Sequence, residues 1–194
     1  PGGVLAPKSK ADLAFTMHML SWLAVDGTAA IVEFPGVLFR GAAEAKIRQY
    51  LVENNYVDAV IQLPPDLFFG TNITTCIIVL KKSKQDNSVL FVDASKQFVR
   101  EGNKNKLSAE NQEMILETLT KREDIDHVAA LVNAEEIREN GFNLSVSSYV
   151  EAEDTREEVD IVELNARIKE IVERQAVLRA SIDEIVADLE GGAR

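Results

Sequence analysis

Between Ile61 and Lys82 the chain reads IQLPPDLFFGTNITTCIIVLKK, and several of these residue types can do chemistry. Phe68 and Phe69 are adjacent aromatic rings in a loop, where either could stack on a flat ligand such as a nucleobase. The other reading is that both cap a core beneath the loop. Arg40, in LFRG, has the forked guanidinium that binds phosphate well, while Glu44 is four residues on and equally placed to pair with it. Lys8 and Lys10 flank a helix start and face either phosphate or water. Lys104 and Lys106 belong to a basic loop, Asn103–Lys106, that reads as flexible and as a candidate phosphate contact. His18 and His127 have no Cys or carboxylate at ligand spacing, so no metal site is expected. Cys76, the single cysteine, excludes an internal disulfide and reads as a small buried thiol. No Gly-x-Gly, phosphate loop or nucleophile–base constellation occurs.

The elements that must hold these residues follow from periodicity. Ser9 is a suitable N-cap, with Asp12 at the third helical position; Leu13, Met17, Leu20 and Leu23 then recur at helical spacing, and Gly27 supplies a stop. Thr28–Phe34 (TAAIVEF) reads as a buried strand and Ala43–Asn54 as a helix with Ile47, Tyr50 and Leu51 on one face. Val57–Leu63 is a second buried strand, and ITTCIIVLKK a third, rich in β-branched residues. Helix–strand alternation implies an α/β fold with a parallel sheet. The third strand breaks that pattern, because a loop of about ten residues is too short for a parallel crossover. An antiparallel hairpin at the sheet edge is therefore expected, with the lysines of KKSK (Lys81–Lys84) blunting that edge. Ser88–Ser95 adds a short strand, Ala109–Thr120 a helix behind Ser108, and short helical pieces continue to Tyr149.

Residues 151–194 differ. Thr155–Glu158 is a capping box. Beyond it Ile161, Leu164, Ile168, Ile171, Gln175, Leu178, Ile182, Ile185 and Leu189 repeat at strict 3-4 spacing, with Val172 and Val186 flanking the stripe. Such a heptad stripe seeks a partner helix, with Gln175 helping to set register; the other reading folds it back onto its own domain. Two regions are thus expected, 1–150 and 151–194.

The net charge of −11 argues against a free-standing nucleic-acid binder. The last 44 residues hold 13 acidic and 6 basic side chains, a net −7 that leaves −4 for the rest. Bases cluster within that first region, so a local patch or a partner could still engage DNA. The sequence shows neither a membrane span nor a signal peptide, and a cytoplasmic protein is the expectation.

The stretches GGVLAPKSKADLAFTMHML, FPGVLFRGAAEAKIRQYLVENNYVDAVIQLPPDLFFGTNITTCIIVLKK, LFVDAS and NGFNLSVSSYV, in that order, closely resemble the modification (methyltransferase) subunit of type I restriction–modification systems. The resemblance to this N6-adenine DNA methylase family extends over essentially the whole chain. It implies the C-terminal half of a class I, Rossmann-like S-adenosylmethionine-dependent methyltransferase sheet, followed by a coiled-coil-type helix. It further implies S-adenosylmethionine as cofactor and a flipped-out adenine as substrate. The implied partners are DNA, a DNA-specificity subunit that the terminal helix would dock on and, in the restriction form, a helicase-nuclease subunit. In the family an Asn-Pro-Pro-aromatic loop directs the amine at the methyl group. Here Leu63-Pro64-Pro65-Asp66 departs from it at both ends: Leu63 accepts no hydrogen bond and Asp66 cannot stack. The resemblance therefore implies a C-terminal piece without a catalytic residue or a complete cofactor site, inactive alone. It also implies that Phe68 and Phe69 approach the flipped base, and that Lys8, Arg40, Lys104 and Lys106 are the candidate DNA phosphate contacts. The alternative is a non-enzymatic module that docks or self-associates through its heptad helix.

Overall fold

The computed structural model describes residues 3–153 and 160–191, and the chain divides into two compact units, Pro1–Glu153 and Asp154–Arg194. The first unit is a mixed α/β fold. Its elements run α1 (Asp12–Trp22), β1 (Thr28–Glu33), α2 (Ala42–Glu53), β2 (Val57–Gln62), β3 (Cys76–Lys81), β4 (Ser88–Asp93), β5 (Val99–Glu101), β6 (Lys104–Lys106), α3 (Ala109–Lys121), β7 (Ala129–Asn133) and α4 (Ala134–Glu139).

Five strands form one sheet in the order β1-β3-β2-β4-β7. β2 and β4 run parallel, and β3 is antiparallel to both β1 and β2, so β1, β2 and β4 all point one way. The antiparallel β2–β3 pairing is as the short loop predicts, but β3 is not an edge strand. The crossover through α2 leaves a one-strand gap between β1 and β2, and β3 fills it. β1 is instead an outer strand among the described residues, and its side chains are only partly covered, with Val32 48% exposed. The expectation of a buried first strand fails for that reason.

In β2 and β4 both faces are buried, which is why they read as continuous apolar runs. Val57, Val60, Val89 and Phe91 join a core with Leu13, Leu20, Ile47, Leu51 and Ile137. Ala59, Ile61, Leu90 and Val92 face the other way, toward Ile115, Met114 and Leu119 of α3. A bulge at Val57/Ala59 sets Asp58 aside from this alternation. Its carboxylate lies 2.9 Å from Lys81 Nζ and 3.0 Å from Arg122 Nη1. Lys82 Nζ donates to Leu23 O, and Lys84 Nζ to Val57 O and Ser88 O. These lysines therefore tie loops and strand ends together rather than shield an edge, and burial pushes the Lys84 ammonium down to about 8.

Several local expectations shift. α1 starts at Asp12 with Ala11 at its N-cap and no side-chain cap, because Pro7–Lys10 form a turn that holds Ser9 outside the helix. It ends at Trp22, five residues before Gly27 closes the next turn onto Ala24 O. α3 starts as expected behind Ser108, which forms a reciprocal capping box with Asn111. The basic loop is an antiparallel hairpin, β5–β6. β7, a strand added antiparallel to β4, carries no alternation long enough to announce it. Phe91 stacks on Tyr149 at 4.2 Å, which ties the segment after α4 to the sheet.

The second unit is one helix, α5 (Ile161–Gly191), about 46 Å long at the usual rise. The Asp160 carboxylate caps it, accepting from the backbone N–H groups of Val162 and Glu163 at 2.8 and 3.2 Å. The expected capping box at Thr155–Glu158 lies outside the described residues. No described helix is long and apolar enough to cross a membrane.

Candidate functional site

Because β1, β2 and β4 are parallel, their carboxyl ends share one side of the sheet: Glu33, Gln62 and Asp93. In open α/β sheets ligands bind just outside these ends. Three connections gather there: Phe34–Gly41 after β1, Leu63–Thr75 after β2, and Ala94–Ser108 after β4.

The middle connection is closed at its base by Leu63 N–H donating to Thr75 O at 2.9 Å. At its tip Phe69 is fully exposed, and Phe68 is 41% exposed. Neither ring belongs to the two apolar clusters. The β5–β6 hairpin lies against this loop. Asn105, only 6% exposed, donates through Nδ2 to Pro65 O at 2.8 Å and through its backbone N–H to Asp66 O at 3.1 Å. Arg100 Nη1 donates to Asn105 Oδ1 at 2.9 Å and lies 3.3 Å from Asp66 Oδ2.

The candidate cations are placed as follows. Lys104 Nζ donates to Thr71 O at 2.7 Å and sits 3.8 Å from Asp66 Oδ1. Lys106 lies 2.9 Å from Glu101, which holds its ammonium above the usual range. Arg40 Nη1 is 3.4 Å from Glu44 Oε1 and 3.7 Å from Asp12, with its guanidinium over the Phe34 ring at 5.5 Å. The Glu44 pairing offered by the spacing is thus formed. Gly36 leaves room for that guanidinium, which any Cβ there would strike. Lys8 and Lys10 are exposed at the turn before α1.

Sequence reasoning passed over Asn105, since a polar residue in a lysine-rich segment reads as solvent-facing, and it gave Arg100 and Asp66 no part in holding the loop. It also passed over Glu33, whose carboxylate accepts from Thr16 Oγ1 at 2.8 Å in a buried link between α1 and the end of β1. Burial pushes that carboxyl up, against the pull of the Thr16 hydrogen bond.

The His18 and Trp22 rings lie tilted with centroids 5.7 Å apart, and His127 Nδ1 lies 3.1 Å from Glu151 O. No group of three metal-ligating side chains occurs among the described residues. Cys76 is 1% exposed, its thiol donating to Glu33 O at 3.5 Å, and burial pushes it up to about 12. The reactive thiolate is therefore scarce at pH 8. Iodoacetamide is expected to leave Cys76 unmodified in the folded chain and to alkylate it in denaturant, as read by mass spectrometry.

A model of the N-6 DNA methylase family matches residues 1–158. This chain belongs to that family. Over 96% of its length the methylase chain is 47% identical to the type I restriction enzyme MpnII methylase subunit of Mycoplasma pneumoniae, covering 35% of that protein. It is 33% identical over 97% of its length to the MjaVII methylase subunit of Methanocaldococcus jannaschii, covering 33% of it. A solved type I restriction–modification methyltransferase subunit from Streptococcus thermophilus superposes with a TM-score of 0.76 at 48% identity. That match covers 78% of this chain and 32% of the solved one. The methylase chain therefore spans about a third of the length of the curated relatives it matches.

Proposed function

We propose that this chain is the C-terminal part of the modification subunit of a type I restriction–modification complex. That complex would methylate adenine N6 in DNA with S-adenosylmethionine. The observation that carries the reading is the sheet: an antiparallel strand, β3, inserted between parallel β1 and β2, with the Phe68–Phe69 loop at the carboxyl ends. Such a sheet fits the second half of a class I methyltransferase sheet, and the kinship to type I methylase subunits supports that reading. The outer side of β1 and the apolar side chains beside it, with Trp22 81% and Phe15 66% exposed, suit the remainder of that sheet.

In this reading Phe68 and Phe69 approach the flipped adenine, where stacking and positioning rather than a covalent intermediate lower the barrier. Arg40, Lys8, Lys104 and Lys106 sit around the DNA. The cofactor would supply the methyl group; the chain's lack of a Gly-x-Gly for a cofactor loop, and of an Asn-Pro-Pro-aromatic to direct the amine, supports a site that this chain does not complete. The α5 stripe would dock on helices of the DNA-specificity subunit, so that an acidic chain acts on DNA through its partner. The helicase-nuclease subunit joins in the restriction form.

The test has two arms. Calorimetry with this chain alone is expected to give no heat of S-adenosylmethionine binding; measurable binding overturns the incomplete site. The longer subunit, with its specificity subunit, is expected to place radiolabelled methyl groups on adenine N6, and failure to do so overturns the enzymatic reading. The docking-module alternative predicts assembly without label.

A further inference from the structure

The Leu63–Thr75 loop is anchored at its base, by the Leu63 N–H to Thr75 O hydrogen bond and by Leu63 and Leu67 in the second apolar cluster, but not at its tip. It presents a fully exposed Phe69, and at Asp66 its backbone turns through φ +59, a left-handed conformation that costs a non-glycine residue energy. A strained turn with a bare ring at its tip keeps one conformation only if something else fixes it. The β5–β6 hairpin supplies the contacts. Asn105 binds the carbonyls of two successive residues, Pro65 and Asp66, one through its side chain and one through its backbone. Arg100 holds both Asn105 Oδ1 and the Asp66 carboxylate. Lys104 reaches past the tip to Thr71 O on the far side of the two phenylalanines. The loop is thus gripped on both flanks of Phe68–Phe69, by residues 33 to 40 positions downstream.

We propose that the hairpin is a clamp and that Asn105 is a positioning residue, setting the Phe68–Phe69 tip where it meets the extruded base. The inference rests on the reading of that tip as a base contact. Asn105 is suited to the task. Its amide donates and accepts at once, so it satisfies the loop carbonyl and the guanidinium together, and it is buried enough that water cannot substitute for it. Lys104, one residue before, is thereby committed to the loop carbonyl and contributes less to DNA affinity than its charge suggests.

The test compares Asn105→Ala and Lys104→Ala with the unchanged sequence in two measurements. On this chain, chymotrypsin cuts after exposed phenylalanines, and the rate of the cut after Phe69, read from fragment masses, reports loop mobility. Asn105→Ala is expected to speed that cut about tenfold, and Lys104→Ala to speed it less. The Lys104 side chain is already 38% exposed, so its variant keeps the fold even if loss of the buried amide does not. In the complete methylase, 2-aminopurine at the target position brightens when the base leaves the stack. Both variants are expected to dim that signal and to lower kcat, by about tenfold for Asn105→Ala, whose DNA affinity stays within about twofold.

An unchanged cutting rate in both variants overturns the clamp. Faster cutting with an unchanged base signal, where Phe69→Ala abolishes that signal, leaves the base contact standing and overturns the positioning role. If Phe69→Ala itself leaves the signal unchanged, the base contact fails and the positioning role falls with it.

Discussion

With α5 docked as proposed, changing Ile168 and Ile182 together to glutamine is expected to weaken binding to the DNA-specificity subunit by more than about a thousandfold. In α5 these side chains sit two heptads apart on one stripe, 48% and 59% exposed. Burying each against a partner helix would contribute about 2–3 kcal/mol, and a glutamine in its place adds the cost of an unsatisfied amide. Glutamine is a good helix former, so α5 itself persists, which circular dichroism checks. A matched control, Glu170→Gln with Glu184→Gln, alters the charged outer face and is expected to leave binding within a few-fold. Titration calorimetry reads both. Binding unchanged by the stripe variant removes docking through this helix.

The second large effect concerns Arg48. Replacement by alanine is expected to destabilise the first unit by about 3–5 kcal/mol, lowering its melting temperature by about 10 °C. Arg48 is 3% exposed in α2, donating through Nε to Phe142 O and through Nη1 to Val37 O, both at 2.9 Å. Burial pushes its guanidinium down from the usual range, with Glu44 opposing. Truncation strands two carbonyls and removes the favourable positive charge that Arg48 places near the buried Glu44. Lysine is no substitute, since one ammonium lacks the fork that reaches carbonyls from two separate segments. A melting temperature lowered by less than about 3 °C would count against this account.

Much of the core was legible because β2 and β4 bury both faces. Runs such as VDAVIQL and SVLFVD can hardly be anything else. Ser108 and the apolar spacing behind it likewise announce α3. The place of β3 was not legible, because a hairpin signal is local while the slot that β3 fills is made by a crossover 30 residues earlier. The β5–β6 hairpin escaped for another reason. Its six residues, VRE and KNK, carry no apolar face, and what fixes them is a set of polar contacts to a distant loop. The same holds for the candidate site. Phe68 and Phe69 drew notice as rings in a loop, and resemblance gave them a meaning. Asn105 had no such signal, since nothing in a lysine-rich stretch marks one amide as buried.

The slot taken by β3 also bears on how the chain comes off the ribosome. β1 ends at Glu33, but its ladder partner begins at Cys76, and the pairing Thr28↔Lys81 spans more than fifty residues. At about 5–20 residues per second, β1 waits several seconds without its hydrogen-bonding neighbour while α2 and β2 emerge. The wait is spent by a strand of β-branched and small residues, TAAIVE, that is apt to pair with whatever strand is near. Translation speed through Phe34–Lys81 therefore sets how long that strand stays open to misassembly.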